Sequence, residues 1–317
     1  FFLKKRMTKK QLNGKINMSN FDRIERNSFM FVLFTDTDTD VTLEVAKELG
    51  YHLISMPYSI LGKDFYPCED EGYDYKEYYN LLRKGIVPKT FGLSSEKYKA
   101  YFEPFLAEGK DILYIHFSQA MSGTFNAMHI AIEELKELYP NQTVYTVDTK
   151  AITIGSYPLL REISVLYKEN KTIEEIIEWA TVERDRFATY FYADDLKFFS
   201  KSGRVSNLAA IMGTLFGIHP IINMDEKGVM EAVTKARGRM GSLKKIVDFV
   251  VELADDIENH PIIIGHTDAL ELAKKLGEML KSRLNKELDI EYILVNPTAG
   301  AHCGPDTVGV SFHAKHR

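Results

Sequence analysis

Cysteine is nearly absent from this chain: Cys68 and Cys303 are the two thiols among 317 residues. They fall in no C-x-x-C pair and have no His pair at metal-ligand spacing beside them, which argues against a zinc site. Two thiols suit a reducing cytosol while leaving room for one disulfide. Long apolar runs are equally scarce. The longest, Ala209 to Ile222, contains His219 and Pro220 and is too short to span a bilayer, so stable membrane insertion is not expected. A basic excess is also missing. With a formal charge of −5, the chain lacks what a phosphate-backbone binder normally carries, and nucleic acid is excluded as a main partner. There is no internal repeat and no low-complexity tract.

What is present is globular material. The chain is 45% apolar and 27% charged, enough for a large core, and it is about twice the usual single-domain length. The first fifteen residues carry Lys4, Lys5, Arg6, Lys9, Lys10 and Lys15 with no acid. They read as a solvated tail, with contact to an anionic surface as the alternative. The chain opens on Phe1, so its natural start is expected upstream, and no leader with a cleavage site is apparent. A soluble, cytoplasmic protein is the expectation.

β-prone apolar runs recur at residues 30–35, 52–57, 111–118, 143–148, 187–193, 261–265 and 291–295. Helix-like stretches at 41–50, 75–84, 96–106, 124–138, 173–186, 241–257 and 269–284 lie between them. The alternation predicts an α/β fold with parallel sheets, whose ligands sit at the carboxyl ends of strands. Residues 55–66 break the rhythm, because Leu61-Gly62-Lys63-Asp64 separates two short β-like runs and predicts a hairpin. The acidic helix ending near Arg184 gives way to an aromatic strand at Phe187. The predicted organisation is therefore an extension of unknown role over 1–28 and two α/β domains over 29–185 and 186–317.

Five stretches carry candidate chemistry. After the first strand, Asp36, Asp38 and Asp40 alternate with threonines. A calcium loop fails there, since Val41 stands where Gly is needed and Lys47 where the closing Glu should fall. A Mg²⁺-dependent aspartyl-phosphate phosphatase using Asp36 and Asp38 is the alternative function, with Ser118 and Asp194-Asp195 as its further groups. The plainer reading has Asp36 and Asp40 capping the helix that begins near Val41. Second, Ser118 to Thr124 joins a strand to a helix N-terminus through hydroxyl-rich turns, either as helix capping or as a pocket where Ser122 and Gly123 suit a carboxylate or phosphate. The third stretch, Pro88 to Glu96, offers Thr90 on an irregular approach and Ser94 or Ser95 as a cap. Fourth, Lys197 to Ser206 sets Arg204 at the start of an apolar helix, against the helix dipole, either to answer a carboxylate or as a solvated surface group. The fifth places His302 in a Gly/Pro-rich turn before a final strand, as an acid-base group or as a structural histidine.

Taken in order, these pieces resemble the DegV family of bacterial fatty-acid-binding proteins. Thr35-Asp36-Thr37 with Asp40-Val41 is similar to that family's T-D-S-x-x-D-L, and Pro88 with Thr90 to its P-x-T-S-Q-P-S loop. Ser118 with Ser122-Gly123-Thr124 is similar to S-S-x-x-S-G-T, and Gly203-Arg204-Val205-Ser206 to G-R-I-S. Gly217 to Ile221, Gly265 to Ala269 and His302-x-Gly304-Pro305 complete the series. Phe91-Gly92-Leu93 replaces Ser-Gln-Pro, Gln119 replaces the second Ser, and Asp306 replaces the Gly of G-P-G.

The resemblance implies two α/β domains with a lipid-binding tunnel between or beside them, holding one long-chain fatty acid and no other cofactor. It implies carboxylate binding by Thr90 and Ser122, with Arg204 and His302 near the head group or the surface facing a kinase. Ser118, Gly123 and His266 are possible supporting residues. It further implies a carrier without catalytic residues of its own, presenting its acid to a separate fatty-acid kinase that makes acyl phosphate for phospholipid synthesis. Aromatics at 12% and eleven methionines can line a tail cavity and equally suit an ordinary core.

Overall fold

Phe31–Asp36 is buried along nearly its whole length, which places it inside a sheet covered on both faces. In the computed structural model, which describes residues 31–69, 74–208 and 217–317, this strand (β1) pairs in parallel with Tyr51–Ile54 (β2) and with Asp111–His116 (β6). Val144–Asp148 (β7) adds a fourth parallel strand, in the order β2-β1-β6-β7. Alternate side chains leave opposite faces. Phe34, Ile112 and Tyr114 join Phe102 and Phe125 of the helices Ser95–Ala107 and Thr124–Leu138. Leu33, Leu113 and Ile115 join Ile163 and Ile176 of Tyr157–Lys168 and Ile173–Glu183.

The chain leaves these helices through a 3-10 turn, Arg184–Arg186, and enters Phe187–Tyr192 (β8), every residue of which is buried. β8 lies at the middle of a seven-stranded sheet, ordered β13-β12-β14-β8-β10-β11-β9. This sheet is mixed, a correction to the expectation of parallel sheets. Its members are Ile290–Leu294 (β13), Ile262–His266 (β12), Val308–His313 (β14), Ile218–Met224 (β10), Met230–Arg237 (β11) and Val205–Ser206 (β9). Only β12 with β13 and β9 with β11 run parallel. β10 and β11 reverse through a turn at Asp225–Gly228, where no crossover helix intervenes, and β14 runs antiparallel to both β8 and β12. One face of the sheet packs on the helices Gly238–Leu253 and Leu270–Leu284. From the other, Phe191, Met224 and Met230 enter the same core as Phe34 and Tyr114.

The predicted hairpin forms as Tyr58–Ile60 (β3) and Lys63–Phe65 (β4), turning at Leu61-Gly62, and β3 also takes Lys89–Thr90 (β5) as an antiparallel neighbour. Tyr58 joins Tyr78, Tyr79 and Phe198 in a small aromatic core. From it Tyr78 donates to the carbonyl of Pro297 at 2.6 Å and Tyr79 to that of Val295 at 2.7 Å. This fastens the hairpin to a short helix, Pro297–Cys303. The extension 1–28 lies outside the described residues, as do residues 209–216, on which most of the helix expected after Arg204 falls. No helix among the described residues is long and apolar enough to cross a membrane.

Candidate functional site

The two large sheets face each other across a cavity of about 380 Å³, within the ~300–1,000 Å³ range of small-molecule sites. It lies beyond the carboxyl ends of β1, β6 and β13, as the strand-end rule for α/β sheets requires. Much of its wall is apolar: Met56, Leu93, Phe117, Phe191, Met224 and Met230 line it. Polar side chains share that wall, among them Thr90, Ser122, Arg204 and His302.

Each of these is placed by a different element. Thr90 closes β5, held by its pairing with Tyr58. His302 lies in the last turn of the helix Pro297–Cys303, not in the Gly/Pro turn expected from the sequence. Asn296 starts that helix, its side-chain oxygen accepting from the Ala299 N–H at 3.0 Å, and Pro297 fits the first turn, where no N–H is needed. Across 212 residues of chain, Thr90 Oγ1 and His302 Nε2 meet at 3.1 Å. Burial, then the charge of Arg204, lowers the His302 pKa to about 4, so the imidazole is neutral at pH 7. With its proton on Nε2, His302 donates to Thr90 and leaves the threonine hydroxyl hydrogen for an acceptor in the cavity.

Ser122 precedes the helix Thr124–Leu138 and accepts from the Thr124 N–H at 3.3 Å, which leaves its own hydroxyl hydrogen to donate. Thr124 is committed elsewhere, accepting from the Leu93 N–H at 2.9 Å. That bond draws the Phe91-Gly92-Leu93 loop onto the helix end. Gly92 permits the approach, since a Cβ there would lie 3.2 Å from Thr124 Cα. Arg204 stands between the helix Leu196–Ser202 and β9 and is the one Lys or Arg among the described lining residues. Ser122, Gly123 and Arg204 also line a shallower depression that is open to solvent. The polar end of the cavity therefore borders the surface.

Two supporting residues stand apart from the wall. Ser118 is fully buried and donates to the Gly228 carbonyl at 2.7 Å, fastening the β10–β11 turn to the first sheet. Gly228 has a φ of +77°, and a Cβ there would lie 2.3 Å from Ser118 Oγ, so only glycine fits. His266 accepts from the Ala269 N–H at 3.2 Å and braces the loop after β12. Gly123 is at the wall.

The acids resolve differently from expectation. Thr42, not Asp36 or Asp40, caps the helix Leu43–Leu49. Asp36 instead accepts from the Asp38 N–H at 3.0 Å and from Tyr114 Oη at 2.9 Å, and burial pushes its pKa up to about 7. Asp40 takes two bonds from Asn296, yet burial raises it also to about 7. Asp38 is raised well above the ordinary range by burial and by its two neighbours, and its Oδ1 has no hydrogen-bond partner. Sequence reasoning missed that Asp38 reaches the cavity wall. Asp36 and Asp38 are both buried, and Asp36 is committed to Tyr114 and to its own turn. The other groups of the phosphatase reading are occupied as well, Asp194 by Arg239 at 2.7 Å and Asp195 in capping the helix Leu196–Ser202.

Cavity and sheets together define an α/β protein with a cavity between its two large sheets, lined by apolar and hydroxyl-bearing side chains. The chain belongs to the DegV family, whose model, described as an uncharacterised protein family, matches residues 30–315. A DegV domain-containing protein of Clostridium perfringens is 33% identical over 283 residues, 89% of this chain and 97% of that one. Among solved structures, the fatty-acid-binding DegV protein of Streptococcus agalactiae superposes with a TM-score of 0.77 at 25% identity, over 90% of this chain and 99% of that one. A stearic-acid-binding protein of Eubacterium ventriosum gives a TM-score of 0.80 at 19% identity, over 90% and 99%.

Proposed function

We propose that this protein is a carrier for a long-chain fatty acid, which it presents to a separate ATP-dependent fatty-acid kinase without turnover of its own. The observation that carries the reading is the Thr90–His302 pair at the wall of a largely apolar cavity, with Ser122 and Arg204 on the same wall. The carboxylate accepts from Thr90 and Ser122, while Arg204 supplies positive charge and the neutral His302 holds Thr90 in its donating orientation. The acyl chain lies against Phe191, Met224 and Met230. Binding the head group beside the solvent-open depression leaves the carboxylate within reach of a kinase docked there. The cytosol, where two free thiols persist and ATP is at hand, is the compartment that suits this role. We further divide the chain into an N-terminal domain, 29–185, and a C-terminal domain, 186–317, since β8 opens a new sheet at Phe187.

Burying about fourteen methylenes at roughly 0.8 kcal/mol each gives on the order of 11 kcal/mol before association costs, enough to retain a lipid through purification. Denaturing extraction of protein expressed in lipid-containing medium is expected to release one fatty acid per chain by mass spectrometry. A cognate kinase with ATP should then convert it to acyl phosphate. Repeated extractions with no stoichiometric acid would remove the carrier reading, and a retained acid that the kinase never converts would remove only the presentation step.

A further inference from the structure

Of the three acids in the turn after β1, Asp38 is the one that lines the cavity between the sheets. It is 6% exposed, and its Oδ1 has no hydrogen-bond partner among the described residues. Asp36 accepts from Tyr114 and from the Asp38 N–H, and Asp40 accepts twice from Asn296 through one oxygen. A buried carboxyl oxygen without a partner is destabilising and uncommon, so its place at a cavity wall points to a group that arrives with the ligand. Asp38 also fills an open place of the pattern T-D-S-x-x-D-L, where that pattern asks for no acid.

Bonds on either side of Met56 fix the part of the wall that Asp38 enters. Thr37, its neighbour in sequence, accepts from the Met56 N–H at 2.9 Å, and Thr298 Oγ1 donates to the Met56 carbonyl at 2.8 Å. All of Asp38, Met56 and Thr298 line the cavity. Thr298 and His302 lie four residues apart on the helix Pro297–Cys303, hence on one face and about 6 Å apart along its axis. The wall that carries Asp38 therefore begins one helical turn from the Thr90–His302 pair.

Burial, then the neighbouring Asp36 and Asp40, favours the neutral form of Asp38. A neutral carboxyl donates through its O–H and accepts through its carbonyl oxygen, and an alcohol answers both. A methylene answers neither, and a keto oxygen only accepts. An ammonium would share the cavity with the cation of Arg204.

We propose that Asp38 is a specificity-determining residue that selects a long-chain fatty acid with a hydroxyl close to its carboxyl end. The inference rests on the carrier reading and adds the ligand's second polar group. Thr90 and Ser122 hold the carboxylate, the ligand's hydroxyl exchanges hydrogen bonds with the Asp38 carboxyl, and the rest of the chain lies against Phe191, Met224 and Met230. A site built to bond a hydroxyl discriminates against the analogue that lacks it, because its own polar group is then left unpaired.

The test is displacement of a fluorescent fatty acid from the delipidated full chain by hexadecanoic acid, 3-hydroxyhexadecanoic acid and 16-hydroxyhexadecanoic acid, whose hydroxyl lies at the far end. The 3-hydroxy acid is expected to bind at least about tenfold more tightly than either of the others. Asp38→Ala should abolish that preference, weakening the 3-hydroxy acid about tenfold and tightening hexadecanoic acid, while Asp38→Asn, which keeps a donor and an acceptor, should retain most of it. Equal affinities of the wild-type chain for hexadecanoic acid and the 3-hydroxy acid would mean that water answers Asp38 and would overturn the inference, with the carrier reading intact. So would a preference for the 16-hydroxy acid, or a 3-hydroxy preference that survives Asp38→Ala. Binding of none of the three acids would remove the carrier reading and this inference with it. The wild-type comparison needs no substitution, so it decides the matter even where Asp38→Ala fails to fold.

Discussion

Two groups of polar side chains stand at the carboxyl edge of the first sheet, and they differ in where their hydrogen bonds go. Asp36 and Asp40 direct theirs inward: Asp36 organises its own turn and holds Tyr114, while Asp40 ties β1 to Asn296 at the head of another helix. Thr90 and Ser122 stand instead at a cavity wall, Thr90 meeting His302 and Ser122 accepting from the Thr124 N–H. Polar groups at the wall of a largely apolar cavity are the ones that orient a ligand, and the half-buried Thr90 and Ser122 stand there. Charge separates the groups further. The acids are held toward their neutral forms by burial, whereas Arg204 adds a cation to the donors.

The largest expected difference is in stability against pH. Asp36 has its pKa raised from 3.8 to about 7, chiefly by burial, against bonds from Tyr114, Phe117 and Asp38 that favour the charged form. Between those values the unfolded chain has released its proton and the folded one has not, so this residue's contribution falls as pH rises from 4 to 7. The full shift corresponds to on the order of 4 kcal/mol. Asp36→Asn resembles the protonated form and should remove that part of the slope in denaturant titrations at pH 4 and pH 7, while lipid retention stays as in the wild type. Equal slopes in the two proteins would show that Asp36 is ionised in the fold, and loss of lipid would place it in the wrong group.

Next in size are the hydroxyls at the wall. Thr90→Val and Ser122→Ala should each weaken fatty-acid binding by roughly 1–3 kcal/mol, about 5- to 150-fold, because each leaves the carboxylate short of a donor. Stability of the lipid-free protein should change little. Displacement of a fluorescent fatty acid measures the first and thermal melting the second. Unaltered affinity in both variants would mean that the head group lies elsewhere in the cavity.

How much of this the chain discloses before folding depends on the range of the interaction. β1, β6 and β7 are legible because continuous apolar runs end in polar turns, and the β3–β4 hairpin because Leu61-Gly62 interrupts two short runs. β10 is hidden by its own neighbourhood, since Ile218–Met224 continues an apolar stretch and carries Pro220, where periodicity does not separate strand from helix. The helix Pro297–Cys303 had legible signals in Asn296 and Pro297, but Gly300 and Gly304 disguise it as a turn. Nothing local pairs Thr90 with His302 across 212 residues, and only colinear family motifs pointed to both. Asp38 was out of reach for a different reason: a carboxyl in a turn reads the same whether it meets solvent or a cavity.

The smallest expected effect tests the boundary between the two groups. Ser118 and Ser122 lie four residues apart on one connection and share a motif, yet Ser118 is not at the cavity wall and donates its hydrogen bond to the Gly228 carbonyl. Ser118→Ala removes that bond and leaves the carbonyl of the buried Gly228 without it, at a cost of about 1 kcal/mol in stability. Because the β10–β11 turn carries Met224 and Met230 of the wall on its two flanks, a small loosening of lipid release should accompany the loss, with affinity changed less than twofold. Measured beside Ser122→Ala, this variant separates a serine that builds the cavity from one that meets its contents. A Ser118→Ala protein of normal stability whose affinity falls as far as that of Ser122→Ala would reverse the two assignments and move the head group inward, toward the end of β6.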